Sequence, residues 1–296
     1  MNGILCVDKP QEMTSFLWCA VLRRLTGEKK VGHAGTLDPM ATGVLPLLFG
    51  KATRAIPFLP THNKRYRATL QFGKRSDTLD IWGAVTETGC ALPTRTDIED
   101  ALPAFRGDIL QVPPMVSALK KDGVRLYELA RQGIEIEREA RPVTVYTLTL
   151  DAYDDKTGRL DITCDCSAGT YIRTLCDDLG QALGCGAVMT ALRREAAAGY
   201  DLSACLTVDA CKAAAESGCL HEAILPIDTA FSVYPAVTVT AAQAVRFVNG
   251  GELAVDRVSG LPSVTDTPVR VYDPEQNFLG LGKPDCEAVR VLRIFL

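Results

Sequence analysis

The sequence predicts an α+β fold, and three observations carry that prediction. Stretches of helical and of alternating apolar spacing follow one another without the regular β–α–β alternation of a doubly wound sheet. Residues 143–152 and 159–166 flank Asp155-Lys156-Thr157-Gly158 and read as a hairpin. The last stretch, about 60 residues long, holds short strand-like segments spaced by turns, the pattern of a small β-barrel-like module.

The elements follow in order. Residues 3–7 read as a short buried strand. Thr14-Ser15 caps a helix whose apolar positions Phe16, Leu17, Ala20, Val21 and Leu25 recur at helical spacing, and Gly27 ends it. Residues 44–49 are a strand and 52–59 a short helix; 66–72 alternates, is rich in β-formers, and is a strand. A short helix with an acidic first turn covers 97–102. Pro113-Pro114 breaks regular structure. From there to about Pro142 the chain is polar, rich in Lys and Arg, holds a helix over 126–132, and reads as an insertion. Beyond the hairpin come a helix over 172–183 and a strand over 188–194. Residues 226–235 separate a last unit with strands at 237–240, 269–272, 278–281 and 289–294.

Composition narrows the function classes. The 296 residues fit one large or two ordinary domains, and 47% hydrophobic content supports a core without metal or disulfide. The longest apolar run, near 44–49, is far below a membrane span, and the N-terminus is too short and charged for a signal peptide, so a cytoplasmic protein is expected. The eleven cysteines are scattered without a Cys-x-x-Cys, and the three histidines stand at 33, 62 and 221. No metal site is expected, and most cysteines should be small buried hydrophobes. The net charge of −4 gives no global sign of nucleic acid. The distribution does: Lys51, Arg54, Lys64, Arg65, Arg67, Lys74 and Arg75 run without an acidic residue between them, and Arg193-Arg194 follows far downstream. Two such clusters point to a polyanion.

The chemistry-bearing stretch is Gly32-His33-Ala34-Gly35-Thr36-Leu37-Asp38-Pro39-Met40-Ala41-Thr42-Gly43. One carboxylate, Asp38, sits among glycines that allow tight bends and close ligand approach, and Pro39 pushes it out of the helical region. An acid displayed this way suits covalent or acid–base chemistry; the plainer reading is an Asx-turn. The spacing fits neither a P-loop nor a dinucleotide fingerprint, and no nucleophile elbow or His-Glu-x-x-His is present.

The motif from Gly32 to Pro46 resembles the signature of the TruB-type tRNA pseudouridine synthases, and the resemblance runs along nearly the whole chain. Gly3 to Pro10 is similar to the family's opening motif, Lys64-Arg65-Tyr66-Arg67-Ala68 to its second, and Ser76-Asp77-Thr78-Leu79-Asp80 to the acidic motif that follows. Ser117-Ala118-Leu119-Lys120 and Leu126 to Arg131 resemble an RNA-gripping insertion. Cys166 to Leu175 resembles the third active-site motif, Met189 to Arg194 the segment closing the uridine pocket, and Phe278-Leu279-Gly280-Leu281-Gly282 a PUA RNA-binding domain. Val116 and Trp82 depart from the pattern, and 203–219 matches weakly.

The resemblance implies a pseudouridine synthase fold: a mixed, mainly antiparallel sheet with flanking helices over 1–230, the insertion at about 112–142, and a β-rich PUA-like domain over 235–296. It implies isomerisation of the uridine at position 55, in the T arm of transfer RNA, by a monomer with no cofactor and no obligatory protein partner. By the same resemblance Asp38, Tyr66 and Arg173 are catalytic. Lys9, His33, Lys64, Asp80, Tyr171 and Leu192, with Tyr66, bind substrate. Taken alone, Arg173 at a helix start is usually a surface charge, and Tyr66 and Leu192 are usually core. The alternative is an RNA-binding or RNA-folding factor in which catalysis is secondary.

Overall fold

The computed structural model describes residues 1–60, 63–262 and 267–296; His62 lies outside them. The first half opens with β1 (Gly3–Lys9), α1 (Ser15–Thr26), β2 (Val31–His33) and β3 (Thr42–Phe49). Thr14 caps α1 by accepting from the Leu17 amide, and Gly27 closes it in the left-handed region. Where a helix is expected over 52–59, the chain forms a 3-10 helix, Gly50–Phe58. Pro57 within it has no amide hydrogen and works against an α-helical ladder. β4 (Lys64–Phe72), β5 (Lys74–Ser76), β6 (Val85–Glu87), α2 (Arg95–Ala101) and β7 (Gly107–Gln111) follow. A capping box between Thr94 and Asp97 starts α2.

The insertion holds β8 (Lys120–Lys121), β9 (Val124–Arg125) and α3 (Leu126–Arg131). Asp122 and Gly123, both at positive φ, turn β8 into β9. The predicted hairpin is β10 (Arg141–Asp154) and β11 (Arg159–Cys166), then α4 (Ile172–Ala182) and β12 (Ala187–Ala197). β13 (Tyr200–Asp201), β14 (Cys205–Leu206) and α5 (Val208–Glu216) complete the larger part.

Ten strands form one sheet in the order β14-β1-β3-β12-β4-β11-β10-β7, with β13 beside β12 and β2 beside β3. The pairs β1–β14 and β3–β12 are parallel and the rest antiparallel, as expected of a mixed, mainly antiparallel sheet. Trp18, Leu22, Leu70, Phe72, Leu175, Leu179 and Met189 belong to the main core between the sheet and its helices. Cys164, Cys166 and Cys176 are buried in it too; all eleven cysteines are free, seven of them buried.

The C-terminal unit pairs β15 (Ala236–Thr238), β16 (Leu253–Ala254), β17 (Val269–Tyr272), β18 (Phe278–Pro284) and β19 (Ala288–Ile294) in the order β15-β17-β18-β19-β16, with α6 (Ala241–Val248) alongside. Among the described residues this order has two ends, so the sheet is open where a barrel-like closure is expected. The first strand stops at Thr238, short of the expected 240, because Thr240 forms a capping box with Gln243 and starts α6. The unit has its own core around Val237, Phe247, Val269, Val271 and Val289. It joins the main sheet through an aromatic seam in which the Phe231 ring centroid lies 5.6 Å from that of Phe295 and 6.2 Å from that of Phe278. No helix among the described residues is long and apolar enough to cross a membrane.

Candidate active site

Asp38 projects from the turn between β2 and β3. The turn is held from beneath by three apolar anchors, Leu37, Met40 and Ala41, all buried. Ser15 reaches it from α1: its hydroxyl accepts from the Leu37 amide at 2.9 Å and donates to the Leu37 carbonyl at 3.2 Å. The Ala41 amide donates to the Asp38 carbonyl at 3.0 Å. This is a backbone turn, and the Asp38 carboxylate is not consumed by an Asx-turn. It meets Arg173 instead, whose Nε lies 2.9 Å from Oδ2. That Nε–H is not aimed along a hydrogen bond, so the two groups form an ion pair by proximity. The Asp38 side chain is 34% exposed and Arg173 is 2% exposed. The acid therefore faces outward and its partner lies within.

Arg173 departs from the surface placement usual for an arginine at a helix start. Its Nη1 donates to the Thr78 carbonyl at 3.0 Å and its Nη2 to the Val116 carbonyl at 2.8 Å. Asp80 stands 3.8 Å from Nη1. A buried guanidinium needs such partners, and two carboxylates with two carbonyls supply them. Asp80 is itself buried and accepts from the Thr78 hydroxyl at 2.8 Å and the Trp82 amide at 3.0 Å. Tyr171 lies just before α4. Its backbone is fixed by Gln111, which accepts from the Tyr171 amide at 3.0 Å and donates to its carbonyl at 3.2 Å.

The second wall comes from β4 and β12, where Tyr66 pairs with Arg194 and Ala68 with Leu192. Tyr66 and Leu192 are both buried. Burial, chiefly, raises the Tyr66 phenol above its ordinary range, so it is protonated at neutral pH. The Tyr171 phenol is likewise raised, first by burial. Burial and then the Arg194 charge lower both Lys64 and His33, so the imidazole is neutral at pH 7. The His33 Nδ1 is buried without a hydrogen bond.

Lys9 lies beneath the loop, fully enclosed, donating from Nζ to the Pro10 carbonyl at 2.7 Å and the Pro39 carbonyl at 3.2 Å. Burial lowers it to about 8, against the pull of Asp38. The Asp38 charge thus acts on Lys9, Tyr66 and Tyr171, while His33 and Lys64 gather around Arg194.

The basic clusters do not form one continuous patch: Lys51, Arg54 and Arg75 are exposed, while others meet acidic neighbours or are buried. Strand alternation turns Tyr66 and Ala68 inward and Arg65 and Arg67 outward, where acidic residues of β11 and, one strand further, β10 meet them. Arg65 pairs with Asp165 at 2.8 Å and Arg67 with Asp151 at 3.9 Å; Lys74 pairs with Glu87 at 3.0 Å. Arg193 grips Asp8 at 2.7 Å. Arg194 is fully buried and donates to the carbonyls of Val44 at 2.8 Å, Thr36 at 3.3 Å and Gly35 at 3.2 Å.

Ser15 and Gln111 are residues that sequence reasoning missed, and Arg194 is buried under the loop where the sequence places it in an RNA-facing cluster. The one signal was Gly43: it has φ +104°, and a Cβ there would fall 2.1 Å from the Arg194 carbonyl oxygen, so β3 and β12 can meet only with glycine at this position.

With this geometry in place, comparison with known proteins is decisive. The model for the TruB family pseudouridylate synthase N-terminal domain matches residues 23–172. The chain belongs to the TruB family. Models for the tRNA pseudouridylate synthase B C-terminal domain and for the pseudouridine synthase II TruB C-terminal region match 173–232 and 235–295. The chain is 42% identical over 290 residues to tRNA pseudouridine synthase B of Dehalococcoides mccartyi, covering 97% of this chain and 94% of the relative. It is 42% identical over 288 residues to the protein of that name from Pasteurella multocida, covering 96% and 92%. Among solved structures, a chain of a Cbf5–Nop10–Gar1 complex superposes with a TM-score of 0.77 at 25% identity, covering 100% of this TruB-family chain and 85% of the other.

Proposed function

We propose that this chain isomerises uridine 55 in the T arm of transfer RNA to pseudouridine. The observation that carries the reading is the Asp38–Arg173 pair: an outward carboxylate held 2.9 Å from a buried guanidinium, in a loop whose backbone is fixed on every side. The reaction breaks the N1–C1′ bond, turns the uracil, and joins C5 to C1′. The C5 proton leaves and N1 gains one, so the atoms balance without a redox partner.

The target nucleotide must first be turned out of its stack, which costs a few kcal/mol. In this reading Tyr66 and Leu192 receive the base, and His33 and Tyr171 shape the rim. Lys64 meets a phosphate or neighbouring nucleotide. Asp38 starts glycosidic cleavage, as nucleophile at the sugar carbon or as base, and Arg173 fixes its direction. The protonated Tyr66 phenol stands ready for proton transfer at C5. Lys9 and Asp80, both enclosed, serve by positioning Pro39 and Arg173.

The same reading divides the chain into a catalytic part, 1–230, with the insertion at 112–142 gripping the RNA arm, and a PUA-like RNA-binding unit, 235–296. It makes the protein a cytoplasmic monomer that needs no protein partner or cofactor.

The test is a pseudouridine assay of the purified chain on one T-arm stem-loop in EDTA. Wild type should convert the uridine stoichiometrically. Asp38→Asn should bind the RNA with unchanged affinity and yield no product. Wild type that binds but makes no pseudouridine would leave the RNA-folding reading in its place.

A further inference from the structure

Trp82 is an apolar side chain that the catalytic site does not use. It is 51% exposed, and Ile81 beside it is 38% exposed. Single exposed apolar residues are ordinary, but tryptophan rarely spends its surface on water, and its indole can bury about 150–250 Å² against a partner.

The loop that carries it is cross-braced. The Trp82 amide donates to Asp80 Oδ1 at 3.0 Å, the Ile81 amide to the Met189 carbonyl at 2.9 Å, and the Ala84 amide to Asp77 Oδ1 at 2.8 Å. Leu79 is held at φ +63°, a costly conformation for a branched side chain. At Gly83 a Cβ would fall 2.2 Å from Asp77 Oδ1, so a side chain there would have to displace the Asp77, Thr78 and Ser76 side chains that brace the turn. The indole thus stands in water on a fixed backbone. A preorganised aromatic loses little entropy when it is covered.

Its position gives the partner. Asp80, which holds the Trp82 amide, also stands 3.8 Å from Arg173, which touches Asp38. The loop is therefore joined to the Asp38 carboxylate through two side chains, Asp80 and Arg173, and its exposed indole belongs to the same hydrogen-bonded and ion-paired network. Single-stranded and loop nucleotides are bound by stacking on such rings.

We propose that Trp82 stacks on an RNA base adjoining the flipped uridine and supplies binding energy that compensates for its unstacking. This rests on the RNA substrate proposed above. The sequence carries two tryptophans, and Trp18 is fully buried, so fluorescence reports the two separately.

The experiment uses the full chain bearing Asp38→Asn, so that bound RNA is not turned over. A labelled T-arm stem-loop is followed by anisotropy, and tryptophan emission with acrylamide quenching is recorded on the same samples. RNA should quench the red-shifted, acrylamide-accessible emission. In the same background Trp82→Phe should bind within about threefold and show no such quench. Trp82→Ala should bind roughly 5- to 100-fold more weakly, the range for removal of one base stack. Bound RNA that leaves Trp82 emission and acrylamide access unchanged would overturn the proposal, and so would a Trp82→Ala variant of undiminished affinity. Either would leave Trp82 free for a protein partner. Absence of RNA binding by anisotropy would sink the RNA substrate itself, and this inference with it.

Discussion

The Asp38 loop and the insertion at 112–142 both reach Arg173, and they are built in opposite ways. The loop, 32–46, is held at its backbone. Ser15, Lys9 and Arg194 each bind its carbonyls or amides from buried positions, and Gly43 lets β12 close against it. The insertion holds two two-residue strands and a helix of one and a half turns, with Lys120, Lys121, Val124, Arg125 and Ile134 exposed. It touches the site through backbone, the Val116 carbonyl on Arg173. Chemistry that depends on the position of one carboxylate needs an over-determined loop. The RNA-gripping role proposed for 112–142 tolerates, and gains from, an adaptable surface. Substitutions of similar chemistry should therefore act on different quantities in the two regions.

The largest effect is expected at Arg194. Arg194→Met leaves the carbonyls of Gly35, Thr36 and Val44 without their donor in a buried place. An abandoned buried acceptor costs about 1–3 kcal/mol, so roughly 3–5 kcal/mol of stability should disappear together with catalysis. Urea unfolding measures the first and single-turnover rate the second. A decrease below about 1 kcal/mol would mean that the loop is held by its apolar anchors alone.

Lys9 gives a finer test through pH. The folded-state value is lowered from the ordinary 10.5 to about 8. Between those values the unfolded chain holds a proton that the folded chain has released, so this group makes stability rise with pH across the window. Lys9→Met removes the titration. The stability difference, wild type minus variant, should widen as pH goes from about 8 toward 10.5 and stay flat below about 7. Thermal unfolding of both proteins at stepped pH reads it. Parallel curves across the window would show that the ammonium under Pro39 is not perturbed by its burial.

The same contrast explains what could be read before the structure. α1, β3, β4, the β10–β11 hairpin and α4 are local: their apolar periods, caps and turns lie within one stretch of chain. The C-terminal strands were legible for the same reason. α5 and α6 were not read, although Thr207 and Thr240 cap them, because Ala- and Cys-rich turns carry a weak period and Thr240 fits a strand end equally well. In the site, Asp38, Tyr66 and Arg173 came from resemblance. What could not be read was the direction of each side chain. The basic run from 51 to 75 looked like one patch because sequence does not show that acids on β10 and β11 face Arg65 and Arg67. Arg194 looked like part of an RNA surface because its partners, the carbonyls of 35, 36 and 44, are about 150 residues away.

The smallest effect is expected in the insertion, and it separates the two regions most cleanly. Lys120 and Lys121 are exposed; Lys121 makes one bond, to the Glu137 carbonyl at 2.9 Å, which water can replace. Changing both to Gln should move stability by no more than about 0.5 kcal/mol. If the insertion grips phosphates, RNA affinity should fall a few-fold at physiological salt. The slope of log affinity against log salt should become shallower by about 0.7–0.9 for each phosphate that is no longer neutralised. The single-turnover rate at saturating RNA should not change, because neither ammonium touches Arg173 or Asp38. A variant that turned over more slowly at saturation while keeping affinity would contradict this division of labour. It would mean that charge on the β8–β9 hairpin reaches the site through Val116, and that the insertion takes part in holding Arg173 as well as the RNA.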